Sequence, residues 1–245
     1  MDAKKVGLAL GTHSDGCTTL EQVELETSTK RPAEIVEEWV RQRDTSVLLA
    51  LDAPLGWPTP LANALINHCA GDEIEAEAND LFRRTTDRFI RQHIGRQPLD
   101  VGADRIARTA HAALSLLGDL RQRLDNAEIP LAWKPDITKT AVIEVYPAAT
   151  LTAHGVEFRG YRENRDTRED ILQAIGERMG LSGDLGTHGG FEAMQNKADA
   201  LDAATCVLAA HDFLTDQTFQ PPMQIWLVAK AGYGYGVLTP NPLVG

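Results

Sequence analysis

The sequence predicts a mixed α/β fold, a sheet flanked by helices. Three observations carry this. Short apolar runs of strand type stand at 6–10 (VGLAL), 47–51 (VLLAL) and 141–145 (AVIEV). Amphipathic stretches of helical period lie between them. The succession strand, helix, strand near the N-terminus implies a parallel pair. At 245 residues and 43% hydrophobic content the chain has ample core for one large domain or two small ones. A single domain over 1–245 is expected, with a helical insertion at about 60–139.

Taken in order, VGLAL ends at Gly11 and suits a buried strand followed by a turn through THSDG. CTTLEQVELE at 17–26 mixes β-branched residues with rough alternation, so one or two strands should hairpin onto the first. A helix over 33–43 follows Pro32 and places Ile35, Val36, Trp39 and Val40 on one face. VLLAL then runs as a buried strand into Asp52 and the break APLGWPTP. The middle holds a short helix at 61–69, an acidic linker, a basic segment and a longer helix at 103–124. AVIEV is another buried strand ending at Tyr146 and Pro147, with helices at 148–154 and 168–179 beyond it. A Gly-rich loop, SGDLGTHGG, precedes a last helix over 197–214, and residues 225–228 before AGYGYGV suit an edge strand.

Charge narrows the function classes. Lys and Arg total 24 against 35 for Asp and Glu, a net charge of −11, which opposes non-specific attraction to nucleic acid or anionic membrane. A polyanion partner has to be met locally. Three scattered cysteines without CxxC or Cys/His ligand spacing point to a reducing cytoplasm and away from zinc. No apolar run spans a bilayer, and MDAKK leads straight into a strand, so a cytoplasmic protein is expected. The histidines form no HxxxH or HExxH pair, and the GTHGG glycines do not match a Walker A loop.

Four acids stand out. Asp199 and Asp202 lie three apart on the last helix and share a face, where they could hold a metal. The bland alternative makes Asn196 the N-cap and Asp199 the N3 residue, its charge complementing the helix dipole. Asp52 follows a hydrophobic strand, at the end where open parallel sheets place their ligand crevices, though it could equally cap the turn. Glu144, inside an apolar strand, is costly to ionise without a cation or hydrogen-bond partners, with a buried salt bridge as its structural alternative. Acids from three elements suit divalent-metal phosphoester hydrolysis, because Mg²⁺ and Mn²⁺ take hard oxygen ligands. The segment 83–108 adds seven arginines against three aspartates. Arg84, Arg88, Arg105 and Arg108 are its candidates for gripping phosphate, unless they form a solvated face paired with the upstream acidic GDEIEAEAND.

These pieces, in order, carry a resemblance: VGLALGT at 6–12, LDAPLGWP at 51–58, RRTTDRFI at 83–90, VIEVYPAATL at 142–151 and KADALDAAT at 197–205. The chain resembles the predicted ribonuclease H-like nucleases of the domain of unknown function 429 family. That resemblance implies a mixed five-stranded sheet flanked by helices, its first three strands antiparallel, with the helical insertion between the fourth and fifth strands. It also looks like RuvC-type resolvases in placing an acid after the fourth strand (Asp52) and a DxxDA pattern on the final helix (Asp199, Asp202). The chain departs from the pattern where families of this fold carry an aspartate on the first strand. Ala9 stands there, and Ala231 replaces a second acid near the C-terminus. The expected function is a metal-dependent phosphodiesterase with Asp52, Asp199 and Asp202 as Mg²⁺ or Mn²⁺ ligands, Glu144 as further ligand or base, and nucleic acid or another phosphate-bearing molecule as substrate. The alternatives are a catalytically inactive nucleic-acid-, nucleotide- or protein-binding module of the same fold and, more distantly, an actin-like ATPase, since ALGT at 9–12 resembles its phosphate loop.

Overall fold

The computed structural model describes residues 6–219 apart from 28, 44, 126, 127 and 188. Those residues fall into two compact units, 6–53 with 111–218 and 54–110 with Phe219. The fold is mixed α/β, and all five strands of the described residues belong to the first unit.

β1 (Gly7–Ser14) and β2 (Cys17–Leu25) form an antiparallel hairpin. Ser14 opposite Cys17 leaves a two-residue loop, Asp15 and Gly16, both at positive φ (51° and 75°). An Asp-Gly pair accepts that backbone, and its twist matches that of the flanking strands. The hairpin therefore runs through THS, which the sequence suggested as a turn. β2 pairs along its whole length with β1, apart from an irregularity at Leu10/Gly11, so residues 17–25 make one strand and none remain for a third antiparallel one. The third member of this sheet is β5 (Gly180–Leu181), parallel to β2.

β3 (Leu48–Leu51) and β4 (Ala141–Glu144) pair in parallel as a second, two-stranded sheet. The strands of the described residues thus form hydrogen-bonded sets of three and two, and the expected single five-stranded sheet is not among their ladders. The helical stretch α2 to α5 consequently sits between the third and fourth strands in chain order.

Helices cover the hairpin on both faces. α1 (Pro32–Arg41) starts on a proline, with Glu34 accepting from the Arg31 N–H at 2.9 Å, and sets Ile35 and Trp39 against Leu8. The opposite face, with Leu20 and Val23, packs on α6 (Pro147–Ala153), α7 (Arg165–Gly176), α9 (Gly190–Asn196) and α10 (Ala198–Leu214). α10 also lies on β3 and β4 through Cys206 and Phe213. It is apolar nearly all round, as a helix buried on several sides must be.

The second unit holds α2 (Thr59–Leu65), α3 (Ala78–Phe82), α4 (Thr85–Ile94) and the first turns of α5 (Asp104–Arg123). Buried Leu81 and Val101 belong to it, and the Val101 N–H donates to the Phe82 carbonyl at 3.2 Å. The short helix α8 (Asp184–Thr187) and α9 occupy the Gly-rich stretch of the first unit that reads as a loop in sequence. No helix of the described residues is long and apolar enough to cross a membrane. The expected edge strand at 225–228 and Ala231 lie outside the described residues.

Candidate functional site

β3 and β4 run side by side with Leu51 opposite Glu144, so Glu144 and Asp52 come to the same, carboxyl-terminal edge of a parallel pair. Two short bonds hold that edge: the Val145 and Ala53 N–H groups both donate to the Leu51 carbonyl at 2.8 Å. The neighbouring strand residues Val142, Ile143 and Val145 are buried, while Glu144 itself is only half-buried.

α10 supplies the other two acids. Its N-terminus differs from the sequence expectation. Asn196 closes α9, the Lys197 N–H donates to Ala193 O at 2.8 Å, and Lys197 is the N-cap with no side-chain bond. Asp199 is therefore at N2 and exposed, with its charge still in the favourable first turn. Asp202 is one turn on and 7% exposed.

Two residues that sequence reasoning missed grip Asp202. Tyr161 donates its hydroxyl to Oδ1 at 2.8 Å, and Arg162 donates Nη2 to Oδ2 at 3.2 Å. The Arg162 side chain is 56% exposed and its guanidinium lies 5.5 Å from the Tyr161 ring centre. Both stand on the loop between α6 and α7, propped from beneath by buried Arg168. That guanidinium donates to the carbonyls of Tyr161 at 2.5 Å, Arg162 at 3.2 Å and Gln195 at 2.6 Å, joining the loop to the segment that leads into α10. Only the run GYR at 160–162, an aromatic–cation pair beyond a glycine, marked this loop in sequence.

Burial and neighbouring charges act on Asp52 and Asp202. Asp52 is exposed at the surface, although neighbouring protein partly desolvates its carboxyl. That desolvation comes first, then the charge of Asp202. Glu144 and Asp199 add to it, Arg162 opposes it, and the carboxyl is pushed up to about 7. Burial also raises the Asp202 carboxyl, against the Tyr161 hydrogen bond and the Arg162 charge, with Asp199 adding to the rise. The same surroundings raise the Tyr161 hydroxyl. Buried Cys206, one turn beyond Asp202, has its thiol raised by burial and by Asp52 and Asp202.

Asp202, Glu144 and Asp199 thus all act by charge on the Asp52 carboxyl, which makes these four acids a candidate centre. Their hard oxygen donors and excess negative charge suit a divalent cation in chemistry. They are not drawn up around one point, because no group of three or more His, Cys, Asp or Glu among the described residues is placed to hold an ion. An ion would have to compete with Tyr161 and Arg162 for Asp202. Ala9 packs against the apolar core that includes Leu201 and Ala204, so the place of the expected first-strand acid is filled by core contact.

The candidate arginines belong to the second unit. Arg84 is buried in a bidentate pair with Asp87, Nε to Oδ2 at 3.0 Å and Nη2 to Oδ1 at 2.6 Å, a structural staple at the start of α4. Exposed Arg88 pairs with Asp80 and donates to the Asn79 carbonyl at 2.8 Å, as the alternative of pairing with the upstream acids predicts. Arg108 pairs with Asp104 at 3.0 Å on an open surface, and Arg105 is exposed beside it on α5.

Two histidine clusters of the first unit lie apart from these acids in their partners. Thr18 Oγ1 joins His13 and His211, at 2.8 and 3.0 Å to their Nδ1 atoms. Asp212 and Arg178 hold the two ring nitrogens of His154 at 2.8 and 3.0 Å.

A family model described as "Protein of unknown function (DUF429)" matches residues 1–224 of the chain. No curated protein and no solved structure matches it.

Proposed function

The chain belongs to the DUF429 family of proteins of unknown function, and from that premise we propose that it is a divalent-cation-dependent phosphodiester hydrolase of ribonuclease H-like fold with a reduced set of acidic ligands. The reading rests on the Asp52 carboxyl, pushed up to about 7 among Asp202, Glu144 and Asp199. The charges of Asp202, Glu144 and Asp199 all raise that carboxyl and the Arg162 charge lowers it, an imbalance that a cation at Asp52 would relieve. The antiparallel β1–β2 hairpin, the parallel β3–β4 pair and an acid-bearing α10 packed on β1, β2 and β3 support the fold assignment.

Asp52, Asp199 and Asp202 would hold Mg²⁺ or Mn²⁺, with Glu144 as a further ligand or the base. The ion, when bound, supplies Lewis-acid polarisation of a phosphoryl oxygen and a more acidic water. Arg162 carries an exposed fork beside the acids and is the residue of the first unit suited to orient a phosphate oxygen. Tyr161 keeps the Asp202 carboxylate in place through its hydroxyl.

A second reading, a catalytically inactive binding module, is favoured by the hold of Tyr161 and Arg162 on Asp202 and by Ala9. Calorimetric titration of the chelated protein with Mn²⁺ separates the two. The hydrolase reading expects binding that Asp52→Asn and Asp202→Asn each abolish. A folded wild-type chain that takes up no Mn²⁺ would overturn it in favour of the binding module.

A further inference from the structure

The second unit carries an open surface groove of about 500 Å³, lined by Asn79, Asp80, Arg83, Arg88, Arg91, Gln92 and Gln97. That volume accommodates a small phosphate ester. Three arginines against one aspartate make the lining net positive, in a protein whose total charge is −11. The arginines come from neighbouring elements. Arg83 is the residue that follows α3, and Arg88 and Arg91 are on α4, three residues apart and so side by side on the helix surface.

We infer that this groove is an anion-binding site for a phosphate-bearing small molecule, separate in its residues from the acidic centre and independent of any metal there. The state of each guanidinium supports this. Arg91 is exposed and its guanidinium makes no hydrogen bond or ion pair with a described residue. Arg83 keeps Asp100 at 2.9 Å through Nε, which leaves its two terminal nitrogens without a bond to any described residue. Arg88 is paired with Asp80, but both side chains are about half exposed (49% and 52%), and surface pairs of this kind contribute at most about 1 kcal/mol. A phosphate dianion can take over such a pair. It cannot take over Arg84–Asp87, where the side chains are 9% and 1% exposed. The anion-binding residues are therefore Arg83, Arg88 and Arg91, and Arg84 is their scaffold. Gln92 and Gln97 add side-chain amides that both donate and accept, suited to the uncharged body of an ester.

The test is calorimetric titration of the full chain, in EDTA and at low salt, with inorganic phosphate, ribose 5-phosphate and adenosine monophosphate. The chelator makes the result independent of the acidic centre, so failure here and failure of the Mn²⁺ titration are distinguishable. The site predicts binding of at least one probe. Arg91→Gln should weaken it at least about tenfold, the range of one charge-assisted hydrogen-bonded contact, with no change in melting temperature. Arg83→Gln should weaken it likewise, whereas Lys30→Gln, an equal loss of charge on a distant sequence segment, should not. Ester binding tighter than that of inorganic phosphate identifies an ester site, and equal binding a free-phosphate site. No binding of any probe at millimolar concentration, or binding that Arg91→Gln and Arg83→Gln leave unchanged, would overturn the assignment.

Discussion

Asp52 is the residue on which the acidic centre turns. Its carboxyl lies at 3.8 in the absence of perturbation and is pushed up to about 7 in the fold, first by desolvation and then by Asp202. Between those values the folded chain holds the proton more tightly than the unfolded chain. The charged carboxylate therefore costs stability as pH rises from about 4 to about 7, and the whole cost is present above 7. Asp52→Asn removes it. The variant should gain about 1 kcal/mol over wild type at pH 8, with the gain shrinking as pH falls to 4; solvent access to Asp52 keeps it below the full linkage value. Urea unfolding at the two pH values measures this, and a difference independent of pH would refute the assignment. The four acids were legible in sequence because carboxylates at a strand end or in an apolar run are conspicuous. Tyr161, Arg162 and Arg168 were not, since their importance lies in what they touch across 27 to 41 residues of chain (41 and 40 to Asp202, 27 from Arg168 to Gln195).

At the scale of elements, the crossing of β1 and α10 sets the position of Asp199. A Cβ added at Gly7 would run into the Asp199 carbonyl oxygen and carbon, so only glycine lets the strand come this close to the helix backbone. Gly7→Ala should cost about 2 kcal/mol or more, because backbone on both sides has to shift. A thermal melt checks this, and a stability equal to wild type would mean the crossing is looser than it stands. The α1 and α10 spans were readable from helical periodicity, with ends within two residues or so of those observed. The α9–α10 junction was not. Asn196 has the chemistry of an N-cap, but tertiary packing extends α9 through it and gives the turn to Lys197.

Over the whole molecule, a net charge of −11 leaves phosphate contacts to a few local cations. If Arg83, Arg88 and Arg91 are those cations, binding of a single-stranded oligonucleotide should weaken with salt at a log–log slope no steeper than about −2. Fluorescence anisotropy across a potassium chloride series tests this, and a markedly steeper slope would require a larger basic surface. By itself the sequence determined the α/β class, most helix and strand spans and the family resemblance, and it singled out the candidate acids, because periodicity, turn chemistry and ordered motifs are local properties of the chain. Only the tertiary structure decided that the strands pair as three and two, that Arg84 is a buried staple while Arg91 stands open, and that Tyr161 and Arg162 take the Asp202 carboxylate. Pairing, burial and the partner of a charge depend on residues brought together from distant parts of the chain, and no local pattern carries that information.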